Sequence, residues 1–279
     1  MLPSPTLPRT AAPPSLARGA FAMGRLTYHA AVREIRRTHG NAALGLLSSI
    51  LQNVMLLVVF YLTFTLLGTR HIAIRGDFVL YLLSGIFPFM VHAKAMGAVV
   101  KAEGPTSPMM QHAPLNPYVT MAAAALASLY IQVLSLVVIL FLYHALWTPI
   151  AIDQPVGALA MLLLAWFSGV AVGVCLAALK PWFPDGAALA ASVYARVNVI
   201  ASGKMFVANS LPGAMLPIFD WNPLFHVIDQ SRGYIFLNYF PHFSDWRYAL
   251  AVAATVLAVG LMGQAHTRRH ASLSWSQRR

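Results

Sequence analysis

Charge is what this sequence has least of. Only 10% of its 279 residues are Asp, Glu, Lys or Arg, against about a quarter in an ordinary soluble domain, and 58% are hydrophobic. Such a chain cannot cover a soluble core with polar surface, and several of its runs reach the roughly 20 apolar residues that a helix needs to cross a bilayer. Acids are the scarcest charge: Glu34, Asp77, Glu103, Asp153, Asp185, Asp220, Asp229 and Asp245 are all there are. They fall in predicted loops or at span edges, which argues against a carrier driven by protonation of a carboxylate inside the membrane. Cys175 is the single cysteine and lies in an apolar run, so one chain can build neither a disulfide framework nor a cysteine-based zinc site.

Chemistry-bearing motifs are missing as well. ATP hydrolysis within the chain would need G-x-x-x-x-G-K-[ST], because backbone amides must surround the phosphates and a lysine must reach them. The Gly203–Lys204 pair has Asn198 where the first glycine should stand, so any ATP is expected on a partner. No H-E-x-x-H, G-x-S-x-G, paired carboxylate or His-rich metal spacing occurs, leaving no catalytic or metal residues to name. The ten histidines are scattered, and His92 and His144, in or near spans, suit packed or pore-facing roles.

What is present is basic and sorted by position. The net charge of +11 is of a size found in nucleic-acid binders, but these residues gather beside apolar spans, so no nucleic-acid partner is expected. Arg9, Arg18, Arg25, Arg33, Arg36 and Arg37 precede the first span, and Arg268, Arg269, Arg278 and Arg279 follow the last. Both termini should therefore be cytoplasmic. The expected fold is an all-α integral membrane protein with six transmembrane helices, at about 42–67, 78–100, 119–146, 156–179, 187–207 and 246–264. Residues 1–23, rich in Pro and Ser and without the apolar region of a cleaved signal, read as a disordered tail, with Met23 an alternative start. Residues 24–41 read as an interfacial amphipathic helix, with Arg33, Arg36 and Arg37 toward headgroups. Residues 24–264 form the transmembrane domain and 265–279 a basic cytoplasmic tail.

Polar and special residues inside the spans refine this picture. Ser48, Ser49, Gln52 and Asn53 should face protein or a pore and not lipid. Pro88 should kink the second span, Lys94 should snorkel, and Gly169 with Gly173 offers a G-x-x-x-G face for close helix approach. Arg196, central in the fifth span, needs water, an anionic substrate or the carbonyls of a neighbouring helix. Lys204, nearer the outer end, reads as snorkelling. Residues 209–245 are too broken to span and too apolar for a free loop, which fits short re-entrant or interfacial helices. Their rings, among them Trp221, Phe225 and Tyr234, suit a headgroup belt or stacking on sugar faces. The inner segment KAEGPTSPMMQHAPLNP, 101–117, reads as a docking surface.

Three stretches resemble the permease subunits of type-2 ATP-binding-cassette exporters, especially those for capsular polysaccharide or lipopolysaccharide O-antigen. REIRRTHGNAALG is similar to the family's basic interfacial helix and its Leu-Gly step, here Leu44 and Gly45, with Leu46 and Leu47 where a tryptophan often follows. YLLSGIFPF is similar in its Gly85 and Pro88, followed by Pro114 and Pro117. MFVANSLPGAMLPIFDWNPLFHVIDQSRGYIF carries Trp221, Asn222, Pro223, His226 and Arg232 in the order of capsule exporters.

The resemblance implies a homodimer in the bacterial inner membrane, with two copies of an ATPase subunit that hold the ATP and Mg and a glycan path between the copies. It assigns ATPase docking to Lys101, Glu103, Met109, Met110, Gln111, Pro114 and Pro117. Contact with a polysaccharide or glycolipid falls to Arg196, Trp221, Phe225, Tyr234 and Arg232, and periplasmic and outer-membrane export components are further expected partners. The rival readings are a type-2 permease for teichoic acid or a drug, and a membrane glycan-modifying enzyme.

Overall fold

A computed structural model describes residues 16–39, 42–66, 74, 76–102 and 116–270, with side chains from 21–35 and from 44 onward within those ranges. Every long element among them is a helix. α1 spans Leu16–His39 and begins eight residues before the expected start at 24, so part of the expected tail is helical. The reason is local: LARGAFAM consists mostly of strong helix formers. Phe21, Leu26 and Tyr28 on α1 are exposed, as on a helix made to lie against a membrane surface.

Five helices are long and apolar enough to cross a membrane. They are α2 (Ala42–Leu66), α3 (Phe78–Lys101), α4 (Pro117–Leu146), α5 (Pro155–Leu179) and α9 (Trp246–His270). Each coincides with an expected span, although α9 runs six residues beyond 264 into the expected tail. Starts are set by local chemistry: the Asp77 carboxylate accepts the Leu80 N–H at 2.9 Å and Asn116 Oδ1 accepts the Tyr118 N–H at 3.2 Å. Proline opens α4 and α5, where its missing N–H costs no helical bond. α3 continues unbroken through Pro88.

The expected fifth span behaves differently. α6 covers only Pro184–Ala201 and is not among the five. It stops where Gly203 takes a φ of +68°, the left-handed conformation that ends helices. The chain then turns back into protein through a 3₁₀ turn (Ala208–Ser210), the short α7 (Leu216–Phe219) and α8 (Pro223–Ile235) before α9 begins. These are the short helices expected between the last two spans.

α3 and α5 form the centre, with α9 against the far side of α5 and α8 wedged against α3, α5 and α9. The Gly169–Gly173 face makes this possible: a Cβ at Gly169 would overlap the His92 carbonyl, and one at Gly173 would stand 2.8 Å from Val99 Cβ. The expected polar face of α2 divides. Ser49 and Asn53 are buried, Asn53 Nδ2 donating to Ser135 Oγ at 2.9 Å and Gln132 Nε2 to Ser49 Oγ at 3.2 Å on α4. Gln52 turns the other way and accepts from Lys94 Nζ, so Lys94 ties α3 to α2.

The bundle has two unlike ends. Lys101 and Lys180 lie at one, where Lys180 Nζ reaches the Val100 carbonyl at 3.1 Å, as do Arg268 and Arg269 in the last turn of α9. Exposed Trp147, Trp221, Phe240, Phe243 and Trp246 mark the other. These are the basic end and the aromatic end. Replacing Gly169 by leucine is expected to lower stability by about 1–3 kcal/mol or more, because the obstacle is backbone. A Gly24→Leu control has nothing within 4 Å of its new Cβ. Thermal melting in mild detergent reads the difference, and equal midpoints would refute the close α3–α5 seam.

Candidate functional site

The turn after α6 exposes a run of backbone carbonyls deep in the protein, where each must find a donor. One side chain of α8 supplies most of them. Arg232, 1% exposed, donates from Nη1 to the carbonyls of Gly203, at 3.2 Å, and Phe206, and from Nη2 to that of Lys204 at 2.7 Å. Tyr81 of α3 closes the set by donating its hydroxyl to the Met205 carbonyl at 3.2 Å, so four consecutive carbonyls are met. The guanidinium carbon stands 4.6 Å from the Tyr81 ring centre, and Nε points to Ser84 Oγ at 3.4 Å. Only arginine offers five donors in one plane for such a task. A Cβ at Gly85 would sit 2.5 Å from the Lys204 carbonyl, so glycine there lets the turn lie against α3.

Asp229, one helical turn from Arg232, serves the other limb. Its carboxylate accepts from the Ala208 N–H at 3.3 Å, the Tyr239 hydroxyl and Ser244 Oγ at 2.7 Å. Burial, and then the neighbouring Asp229 charge, holds the Tyr239 hydroxyl well above the usual phenol range. Asn222 caps α8 at Leu224 N and donates to Asn198 Oδ1 and the Ala201 carbonyl, both at 2.9 Å. His226 Nδ1 accepts the Asp245 N–H at 2.9 Å, which makes Nε2 the donor to the Asp220 carbonyl. Asn222, His226, Asp229 and Arg232 thus form one buried scaffold along α8.

α6 rests lightly on this scaffold. Ala187, Asn198 and Ala201 are its buried residues, and Tyr194 reaches His92 Nε2 at 3.1 Å. Ser168 Oγ donates to the Ala165 carbonyl at 2.8 Å, so His92 Nδ1 is the donor in its 2.9 Å contact with that hydroxyl and Nε2 accepts from Tyr194. The opposite stripe, Leu189, Val193, Arg196 and Ile200, is exposed. Lys204 departs from the expected snorkelling: it is 3% exposed and its Nζ lies 3.4 Å from the Phe89 ring centre and 5.2 Å from that of Phe60. The turn at Gly203 directs it inward before it can reach a surface.

The residues expected to meet substrate are not gathered in one place. Phe225, 1% exposed, packs with Phe206 and Phe219 beneath the turn. Arg232 is occupied by carbonyls, and Tyr234 is half-buried where α8 meets α5. Trp221 is exposed at the aromatic end, its Nε1 donating to the Ile218 carbonyl at 2.6 Å, and Arg196 is exposed on α6. At the basic end, Lys101 is exposed and Pro117 is the first residue of α4. Glu103, Met109, Met110, Gln111 and Pro114 lie outside the described residues, as do the side chains of Arg36 and Arg37. Arg33 is exposed on α1. No group of three or more His, Cys, Asp or Glu able to hold a metal occurs among the described residues.

The ABC-2 type transporter family matches residues 25–236, which run from α1 through the end of α8. The chain belongs to that family. Two proteins from Escherichia coli, each a polysialic acid transport protein KpsM, are 25% identical to it over 251 and 260 residues, covering 88% of this chain and 95% of the relative. As an ABC-2 permease the chain is a multi-pass transport subunit and not an enzyme, and an ABC ATPase partner carries the ATP and Mg²⁺.

Sequence reading missed Asp229, Asn198 and Ser84 as members of the α8 scaffold. The available signal was the spacing of His226, Asp229 and Arg232, three polar residues at i, i+3 and i+6 and hence on one face of the helix. Arg232→Met is expected to destabilise by on the order of 3 kcal/mol, since it strips buried carbonyls of their donors. Arg232→Lys should recover little of this, because an ammonium cannot span the same fork. Melting and limited proteolysis between α6 and α8 check both, and a wild-type melt for Arg232→Met would show that the turn is held otherwise.

Proposed function

We propose that this chain is the membrane half of a homodimeric exporter that moves a capsular polysaccharide, or a lipid-linked O-antigen of related chemistry, across the bacterial inner membrane. Both termini lie in the cytoplasm, and two ATPase copies dock at the basic end against residues 101–117. The similarity to two polysialic acid transport proteins along nearly their whole length supports the cargo class. The positive-inside rule supports the orientation, since α1 and the last turn of α9 carry the arginines.

The observation that carries the reading is Arg196. A guanidinium on an exposed stripe of apolar residues costs several kcal/mol if that stripe meets only lipid. The charge is tolerable where a second copy brings polar groups or water to the same face. α6 therefore lines a path between two copies, with Arg196 presented to an acidic or hydroxyl-rich polymer. Trp221, at the aromatic end, offers a ring face to the sugars as they leave. Nucleotide-driven movement of the docking segment would be transmitted through α3 and α4, whose ends border it, to the separation of the two copies.

Copurification from native membranes tests the assembly: the chain should bring down an ATPase subunit, and scrambling 101–117 should abolish this without loss of the membrane protein. Arg196→Ala should lower polymer export about tenfold or more, as expected for loss of a charged hydrogen bond, while ATPase association is retained. Polymer should then accumulate inside the cell. Full export with Arg196→Ala would remove that residue from the path, and accumulation of a different anionic polymer on deletion of the chain would reassign the cargo.

A further inference from the structure

A second polar feature lies away from the α8 scaffold. A cavity of about 420 Å³ opens among α1, the first half of α2, the last half of α3 and the first half of α4, all at the basic end. Lys94 and Lys101 line it from α3, seven residues and hence two turns apart on one face. Among the described residues the hydrogen-bond partner of Lys94 is the neutral Gln52 carbonyl oxygen, which does not cancel the ammonium charge. Glu34 is the one carboxylate among the described lining residues and is itself engaged, so two ammonium groups face one carboxylate. The space is real on the α3 side: a Cβ at Gly97 would meet no atom within 4 Å.

Beside the cavity, Leu47, Leu51 and Met55 form an exposed stripe on α2, one residue removed in register from Ser48 and Gln52 on its wall. A hydrophobic stripe running alongside a cationic pocket matches a molecule with an anionic head and acyl tails. We propose that this cavity binds the phosphate-bearing headgroup of an anionic phospholipid of the adjoining leaflet, its acyl chains lying along the α2 stripe. Lys94 and Lys101 neutralise the phosphate, and the Gln52 amide, whose oxygen already takes Lys94, donates from Nε2 to a phosphate oxygen. The ligand ties interfacial α1 to α2, α3 and α4, and this role is separate from the passage of cargo along α6.

The test uses the intact permease–ATPase complex reconstituted in vesicles of phosphatidylcholine with a minor share of phosphatidylglycerol, then extracted in mild detergent for native mass spectrometry of retained lipid. Wild type should keep phosphatidylglycerol and release phosphatidylcholine. Lys94→Gln should reduce retained phosphatidylglycerol about tenfold, the scale of a lost charged hydrogen bond, and Lys94→Arg should keep it. Gly97→Leu, which fills the cavity and removes no charge, should match Lys94→Gln, while Arg269→Gln, basic but outside the cavity, should match wild type. In vesicles of pure phosphatidylcholine with inorganic phosphate added, a phosphate adduct lost in the same two variants would keep the anion site but overturn the lipid as its source. Equal retention in wild type, Lys94→Gln and Gly97→Leu, or an equal loss in Arg269→Gln, would overturn the site altogether.

Discussion

A backbone that reverses inside a membrane protein must carry its own hydrogen-bond donors, because lipid supplies none. Here the reversal after α6 depends on Arg232. Three of its bonds go to bend carbonyls, and Tyr81 takes the carbonyl that Arg232 does not reach. An unmet carbonyl in such surroundings costs roughly 1–3 kcal/mol, so four together would exceed what a single short turn gains by packing. The arrangement explains why α8 is polar on one face, why α3 has Ser84 and Gly85 at the level of the turn, and why Gly203 takes a left-handed conformation. Asp229 performs the complementary task for an N–H and two hydroxyls on the returning limb. The segment between α6 and α9 is thereby a fixed part of the core.

Fixing that segment on α3 and α5 leaves α6 as the least enclosed long helix of the second half. Its inner contacts are small residues and the Tyr194–His92–Ser168 relay, while Leu189, Val193, Arg196 and Ile200 face away. The two arginines in this region thus have opposite environments, one saturated by backbone and one presented outward. Sequence alone offers substrate contact for both, with the carbonyls of a neighbouring helix as the alternative for Arg196. The structure caps Arg232 and leaves Arg196 exposed, and the difference arises because the chain turns at Gly203 instead of continuing as a straight span.

Much of the fold could be read from the sequence because hydropathy and end signals act locally. The ends of α2, α3, α4 and α5 lie within two residues of those expected, set by apolar runs and by Asp77, Asn116, Pro117 and Pro155. The family resemblance likewise rested on short ordered strings, which the match over 25–236 confirms. Less legible was whatever depended on distant partners. The length of α6 could not be inferred from 187–207, where Arg196, Asn198 and Lys204 interrupt the apolar residues, because its end is imposed by one glycine and by donors from α3 and α8. Lys204 read as a snorkelling residue for the same reason. Gln52 and Asn53, neighbours in sequence, diverged because a helix turns about 100° per residue, sending one to α4 and the other to Lys94.

Lys204 shows how far the frame governs its contents. Its ammonium is buried over two aromatic rings, and a desolvated cation–π contact contributes about 2 kcal/mol. Removing an ammonium from water costs several kcal/mol even after relaxation, so the rings alone do not hold it there. Its backbone is what is held: its own carbonyl accepts from Arg232, and Gly85 allows the close approach to α3. The side chain follows where that geometry points. An amine held against its own desolvation is a local rule broken inside a well-satisfied scaffold, imposed by the backbone and not by the ring contacts. Selection for stability alone would have favoured leucine, which fills a similar space without the charge.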